Sequence, residues 1–134
     1  MNDSLLYKMA IRRSETVPEA IEVQLKKGVL GLCVLALLSR GDSYAYEIAS
    51  HMAEAVDMGE GTIYPLMRRM QSEGLVETYL VESSSGPSRK YYRLTDAGHA
   101  SLAQQKAEWL SFTGAVNAII APEAQSLAQP EDRA

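Results

Sequence analysis

Cys33 is the only cysteine in the chain, which excludes an intramolecular disulfide and any CxxC-type zinc or redox centre. The apolar run Val29 to Leu38 is about half the ~20 residues a bilayer crossing requires. The polar opening MNDSLLYKMAIRRSET lacks the long apolar core and small-residue cleavage site of a signal peptide. These absences lead us to expect a cytoplasmic protein with no membrane association. Ser43, Ser72 and Ser83 to Ser85 lie outside any G-x-S-x-G context, and no glycine pattern matches a phosphate-cradling loop. His51 and His99 have neither an HxxxH spacing nor a cysteine partner and read as histidines on helix surfaces. Cys33, within its apolar run, reads as core. No enzymatic activity, metal or cofactor is expected.

A general excess of positive charge is also missing. The formal net charge is −4, which speaks against the broadly basic surface of many nucleic-acid binders. Position matters more than the total. Arg68, Arg69, Arg89, Lys90 and Arg93 cluster in the middle of the chain against Glu73, Glu77 and Glu82, whereas the charged residues from Asp96 onward are mostly acidic. The middle is locally positive and the end is acidic.

What is present fits one folding unit: 134 residues, 46% of them apolar, suffice for a single core and one appended helix. Residues 1–20, with Leu5, Leu6, Met9 and Ile11 among Lys8, Arg12 and Arg13, suggest a short amphipathic helix or an arm. IEVQLKKGVLGLCVLALLSRG reads as a helix, apolar almost all round after Val29, ending at Gly41. Asp42 or Ser43 offers an N-cap for YAYEIASHMAEAV.

GEGTIYPLMRRMQSEGLV predicts a third helix with Ile63, Leu66, Met67 and Met70 on one face and Gly74 closing it. The two strand-prone runs Leu75 to Val81 and Arg89 to Leu94 flank Ser83 to Ser88, so a hairpin with a loop of about six residues and Gly86–Pro87 at its tip is expected. Thr95 or Asp96 caps a last helix that ends before Pro122, and residues 122–134 are polar, with the composition of a disordered tail.

Three helices followed by a hairpin is the order of a winged helix-turn-helix, in which the third helix enters the major groove of DNA and the hairpin touches the flanking backbone. The class is mainly α with a small β-hairpin. The winged helix-turn-helix spans 21–95, and a dimerisation helix follows at 96–121. With the apolar face of the third helix turned inward, Gly61, Pro65, Arg68 and Ser72 lie outward, flanked by Tyr64 and Arg69. The expected DNA contacts are Thr62, Tyr64, Pro65, Arg68, Arg69 and Ser72 from this helix and Arg89, Lys90 and Arg93 from the wing. For Arg68 or Arg89 alone, a solvated charged face is the favoured account; the joint placement on a helix and a wing favours DNA. Pro65 costs little if the helix begins near Gly61 and bends it if the helix begins earlier.

In the last helix, Leu102, Trp109 and Val116 recur every seven residues, and Gln105, Phe112 and Ile119 form a second series offset by three. That is an a/d seam, too short for a free coiled coil. A homodimer interface through Leu102, Trp109, Phe112, Val116 and Ile119 is the simplest account, and it suits a palindromic operator. Pattern alone gives Trp109, the single tryptophan, an interface role, although flat side chains that meet imperfectly also line cavities for planar molecules.

LKKGVLGLCVLALLSRGDSYAYEIA, GTIYPLMRRMQSEGLV and GPSRKYYRLTDAG, in this order and spacing, resemble the PadR family of bacterial transcriptional regulators over roughly Leu25 to Ile120. The single last helix resembles the shorter PadR subfamily, which includes multidrug-sensing repressors. The resemblance implies a homodimeric winged-helix repressor whose last helix forms the dimer interface. It also implies that Trp109 stacks on an aromatic effector between subunits, with Phe112 and Thr113 one turn on. Two positions depart from the family pattern. Ala45 stands where glycine is frequent, an easy replacement inside a helix. Glu60 stands where small residues are common; its carboxylate favours the helix dipole and repels phosphate. The resulting expectation is a DNA-binding repressor released by an aromatic or apolar effector. The alternative is a winged-helix module that binds a protein partner and no DNA.

Overall fold

A computed structural model of the chain describes residues 21–123. The arm expected over 1–20 and the tail from residue 124 lie outside the described residues. The chain divides into two compact units, 1–30 and 31–134. The described part of the first opens helix α1 (Ile21–Arg40) and carries the i,i+4 pair Lys26–Glu22 at 3.9 Å, worth a few tenths of a kcal/mol.

In the second unit the remainder of α1 is followed by β1 (Ser43–Tyr44), α2 (Ala45–Val56), α3 (Glu60–Ser72), β2 (Val76–Ser83), β3 (Gly86–Leu94) and α4 (Asp96–Ile120). This is a mainly α winged helix-turn-helix with one long last helix. Its core is built where the helical period predicts it. Val34, Leu35 and Leu38 from α1, Ile48, Ala49 and Met52 from α2, and Ile63, Leu66, Met67 and Met70 from α3 are buried, closed by Val76, Tyr92 and Leu94 of the sheet. Truncating any of the large side chains to alanine costs about 2–5 kcal/mol. Cys33 is only half-buried rather than fully in the core, and burial pushes its thiol pKa up. Among the described residues no helix is long and apolar enough to cross a membrane.

Three local features differ from the sequence expectation. Ser43 and Tyr44 form a short strand, and Tyr44 rather than Asp42 or Ser43 is the N-cap of α2; its N–H donates to Glu47 Oε1 at 3.4 Å. The hairpin turns at Ser84–Ser85, because Ser83 pairs with Gly86 and Pro87 belongs to β3. Proline is tolerated there because the ladder is irregular between Val81 and Ser83, and bulges accept a residue without an N–H. Finally, α3 begins at Glu60, so Pro65 sits inside the helix and leaves the Gly61 carbonyl without its i+4 donor.

The ends of the helices fix their mutual positions. Asp57, at φ 57°, takes the left-handed conformation that ends α2, and its N–H donates to the Ala53 carbonyl, a role open to aspartate as well as glycine. Gly74, at φ 78°, ends α3, and the following Leu75 N–H donates back to the Met70 carbonyl at 2.9 Å, the closure typical of a helix ended by a left-handed glycine. The Leu75 carbonyl accepts from Thr95 N–H at 3.1 Å. Thr95 Oγ1 donates to the Gly74 carbonyl at 2.6 Å and accepts from Gly98 N–H at 3.0 Å, capping α4. Gly98 is buried, and a Cβ there would fall on the Leu75 carbonyl oxygen. One residue, Leu75, therefore ties the end of α3 to the start of α4.

Candidate functional site

The sheet order β1-β3-β2 sets the site. Tyr44 on β1 pairs with Tyr91 on β3, which pairs with Tyr79 on β2. The three rings form a row, with centroids 5.4 Å apart for Tyr44–Tyr91 and 5.8 Å for Tyr79–Tyr91. The Arg89 guanidinium lies 4.6 Å from the Tyr44 ring centroid and that of Arg93 lies 4.8 Å from the Tyr79 centroid, so a cation closes each end of the row. Tyr79 Oη donates to Asp42 Oδ2 at 2.6 Å, and this bond to a carboxylate raises the phenol pKa above its ordinary value.

Beside this row is a concave pocket of about 370 Å³. The outer face of α3 supplies Tyr64 and Arg68, the start of α2 supplies Ala45 and Tyr46 beside Tyr44, and the wing supplies Arg89, Lys90 and Tyr92. Arg68 is available because the alternation of the helix buries Leu66, Met67 and Met70 and turns residue 68 outward. Lys90 is reached by strand alternation, its Nζ 5.9 Å from the ring centroid of Tyr92, the next residue on that face. Three cations and several phenol hydroxyls around one concavity make a receptor for an anion with flat or sugar-like surface beside it.

The sequence-predicted contact residues divide. Tyr64, Arg68, Arg89 and Lys90 come together at this pocket. Thr62, Pro65 and Ser72 are exposed on the same helix, with Ser72 Oγ donating to the Arg69 carbonyl at 2.9 Å. Arg69 is exposed and pairs loosely with Glu73 at 3.9 Å. Arg93 is held by Glu77, directly opposite on β2, with Nε 3.0 Å from Oε2. Tyr44 and Tyr46 are missing from the sequence reading of the site. The pair Tyr-Ala-Tyr at a helix start was the available signal, but their neighbours on β3 lie almost fifty residues away.

On α4, Trp109 is 39% exposed. Phe112 and Ile119 are exposed, while Leu102, Thr113 and Val116 are half-buried. Thr113 Oγ1 donates to the Trp109 carbonyl at 2.8 Å, so its hydroxyl hydrogen is already used within the helix. The seam is thus an apolar strip only partly covered by its own unit, with Trp109, Phe112 and Ile119 left exposed.

The family model described as the transcriptional regulator PadR-like family matches residues 34–104. The chain belongs to the PadR-like family of transcriptional regulators. A PadR-like transcriptional regulator from Bacillus cereus is similar in structure at TM-score 0.68 and 40% identity, covering 73% of this chain and 97% of that one. An uncharacterised protein of Lysinibacillus sphaericus is 32% identical over 87 residues, 62% of this chain and 80% of its own. The structure of Bacillus subtilis PadR in complex with operator DNA is similar at TM-score 0.52 and 27% identity, covering 61% of this chain and 46% of that one. PadR-like proteins are thereby regulators of transcription rather than enzymes.

Proposed function

We propose that this PadR-like protein is a sequence-specific DNA-binding repressor that acts as a homodimer and is released by an aromatic or apolar small molecule. The observation that carries the DNA reading is the convergence of Arg68 from α3 with Arg89 and Lys90 from the wing on one tyrosine-lined pocket. A phosphodiester seated there meets charge-assisted donors from two elements at once. The remaining outward residues of α3, Thr62, Pro65, Arg69 and Ser72, then face the major groove, with small groups near the helix start and cations farther along. Arg93 shares the tyrosine-row face with Arg89 but is already paired with Glu77, so it contributes less to backbone contact. The complex of Bacillus subtilis PadR with operator DNA supports the same use of the fold here.

In this reading residues 21–95 read DNA and 96–121 form the dimerisation helix, pairing Leu102, Trp109, Phe112, Val116 and Ile119 across a two-fold axis. Two reading helices then engage a palindromic operator. Trp109, with Phe112 and Thr113, contacts the effector between subunits, and its binding changes the angle between them.

Salt dependence of binding to DNA from upstream of its own gene tests the first part. A dimer neutralising about six to eight phosphates gives a slope of log K on log salt of about −5 to −7. A flat line, or no binding, transfers the assignment to a protein partner. Titration of planar cationic and phenolic compounds against tryptophan emission tests the second part; absence of saturable quenching across a broad set removes the effector role of Trp109.

A further inference from the structure

β1 ends at Tyr44, so on its side of the sheet it pairs with Tyr91 and Tyr92 of β3 and no farther. β2 lies along the other side of β3. From Gly86 to Lys90, therefore, one edge of β3 faces no strand among the described residues. The tyrosine-lined pocket opens at this free edge, bordered by the start of α2 and the outer face of α3. Arg89 and Lys90 alternate to opposite faces of the sheet, yet both line the pocket, because at an edge the two faces meet.

A phosphate accounts for only half of this lining. Arg68, Arg89 and Lys90 have no acidic partner among the described residues, and one phosphate can take charge-assisted bonds from all three. The tyrosines are left over. Tyr46 is 59% exposed. Its ring lies almost parallel to that of Tyr44, with centroids 6.5 Å and planes 13° apart, and among the described residues no other ring or cation meets it. An open aromatic face beside a cluster of cations is a stacking platform for a nucleobase. Bases inside a duplex are stacked on one another and do not reach such a face, whereas the base of a free nucleotide does. At about 370 Å³ the pocket falls at the lower end of the range for small-molecule sites, about 300–1,000 Å³, which suits one nucleotide.

We propose that the pocket binds a free purine nucleoside monophosphate, with its phosphate on Arg68, Arg89 and Lys90 and its base on Tyr46, and that this ligand competes with the operator for those cations. The competition rests on the DNA-binding reading above; the nucleotide site rests on the pocket. Operator occupancy then responds to nucleotide concentration directly at the DNA-reading surface, separately from any effector at Trp109. Tyr46 is an exposed helical position, so alanine, the best helix former, leaves the fold intact there.

The test uses the full chain and adenosine monophosphate, first by calorimetry without DNA. Saturable binding is expected, about tenfold or more tighter than that of inorganic phosphate or of adenosine. Tyr46→Ala should weaken the nucleotide by about 5–20-fold and leave inorganic phosphate unaffected, while Tyr46→Phe keeps the ring and the affinity. Arg68→Gln should weaken both anions. In the second arm, adenosine monophosphate releases a labelled duplex taken from upstream of the protein's own gene, and adenosine does not. Equal binding of the nucleotide and inorganic phosphate overturns the inference, as does equal nucleotide binding by Tyr46→Ala and the unchanged protein. A short deoxyadenosine strand that binds far more tightly than the mononucleotide also overturns it, since the occupant is then a single strand. Nucleotide that binds without releasing the duplex overturns the shared use of the cations. A chain that binds duplex and no nucleotide sinks this inference and leaves the DNA reading standing; one that binds nucleotide and no duplex sinks the DNA reading and leaves the nucleotide site.

Discussion

Arg93 and Glu77 face each other across the β2–β3 ladder, with Nε 3.0 Å from Oε2. The same arginine lies over the Tyr79 ring, whereas Arg68 points into the pocket from α3 and Arg89 and Lys90 border it from the wing. Cations of one sign and similar exposure therefore have different availability.

Arg68→Gln is expected to weaken binding to the upstream duplex by about tenfold or more and to reduce the salt slope by about one unit per subunit. Arg93→Gln should change the slope by clearly less, because its charge is already offset by Glu77. Parallel salt titrations of the two variants measure this difference; equal slopes would mean that the pairing with Glu77 does not persist on DNA.

Gly98→Ala brings a methyl group onto the Leu75 carbonyl oxygen, which is backbone and has no rotamer to escape through. The expected cost is about 1–3 kcal/mol, seen as a fall in melting temperature of several degrees. Gly114→Ala serves as the control on the same helix, since its added carbon meets open space within the unit and alanine raises helix propensity.

Ile119→Glu places a carboxylate in the proposed dimer seam. Ile119 is 80% exposed in the unit, so the isolated fold tolerates the change. Analytical ultracentrifugation should report a shift from dimer to monomer, with circular dichroism of the winged helix preserved. A dimer of undiminished strength would move the interface elsewhere.

Tyr79 has its pKa raised, first by its hydrogen bond to Asp42. A raised folded-state pKa means that the folded form holds the proton more tightly than the unfolded form. The stability it contributes is therefore complete below the ordinary tyrosine pKa of about 10 and is lost as pH rises through the folded value. Tyr79→Phe should remove an alkaline step from the ultraviolet titration of the tyrosines and make unfolding less dependent on pH above about 10.

The helical parts were legible because their signals are local. Ile63, Leu66, Met67 and Met70 announce the buried face of α3 by period alone, and Gly74 marks an end that only a few residue types accept. The strand β1 was not legible, because two residues hold no periodicity and Ser43–Tyr44 is defined by partners on β3. The hairpin tip was misplaced for a related reason. Serine, glycine and proline have weak strand preference, yet pairing with β2 carries Gly86 and Pro87 into the ladder. Arg68, Arg89 and Lys90 could be named from charge and order, but the tyrosines that shape the pocket between them depend on cross-strand register, which one sequence does not display.

The α3–α4 junction at Leu75 contains no slack: its N–H is fastened to Met70 and its carbonyl to Thr95. A helix of 25 residues is about 37 Å long, with Trp109 about 20 Å from the fastened end. By that lever arm, a sideways displacement of 1 Å at the tryptophan corresponds to a tilt of about 3° at the pivot. The pivot is hydrogen-bonded directly to the last turn of the helix that carries Arg68, so such a tilt would bear first on that contact.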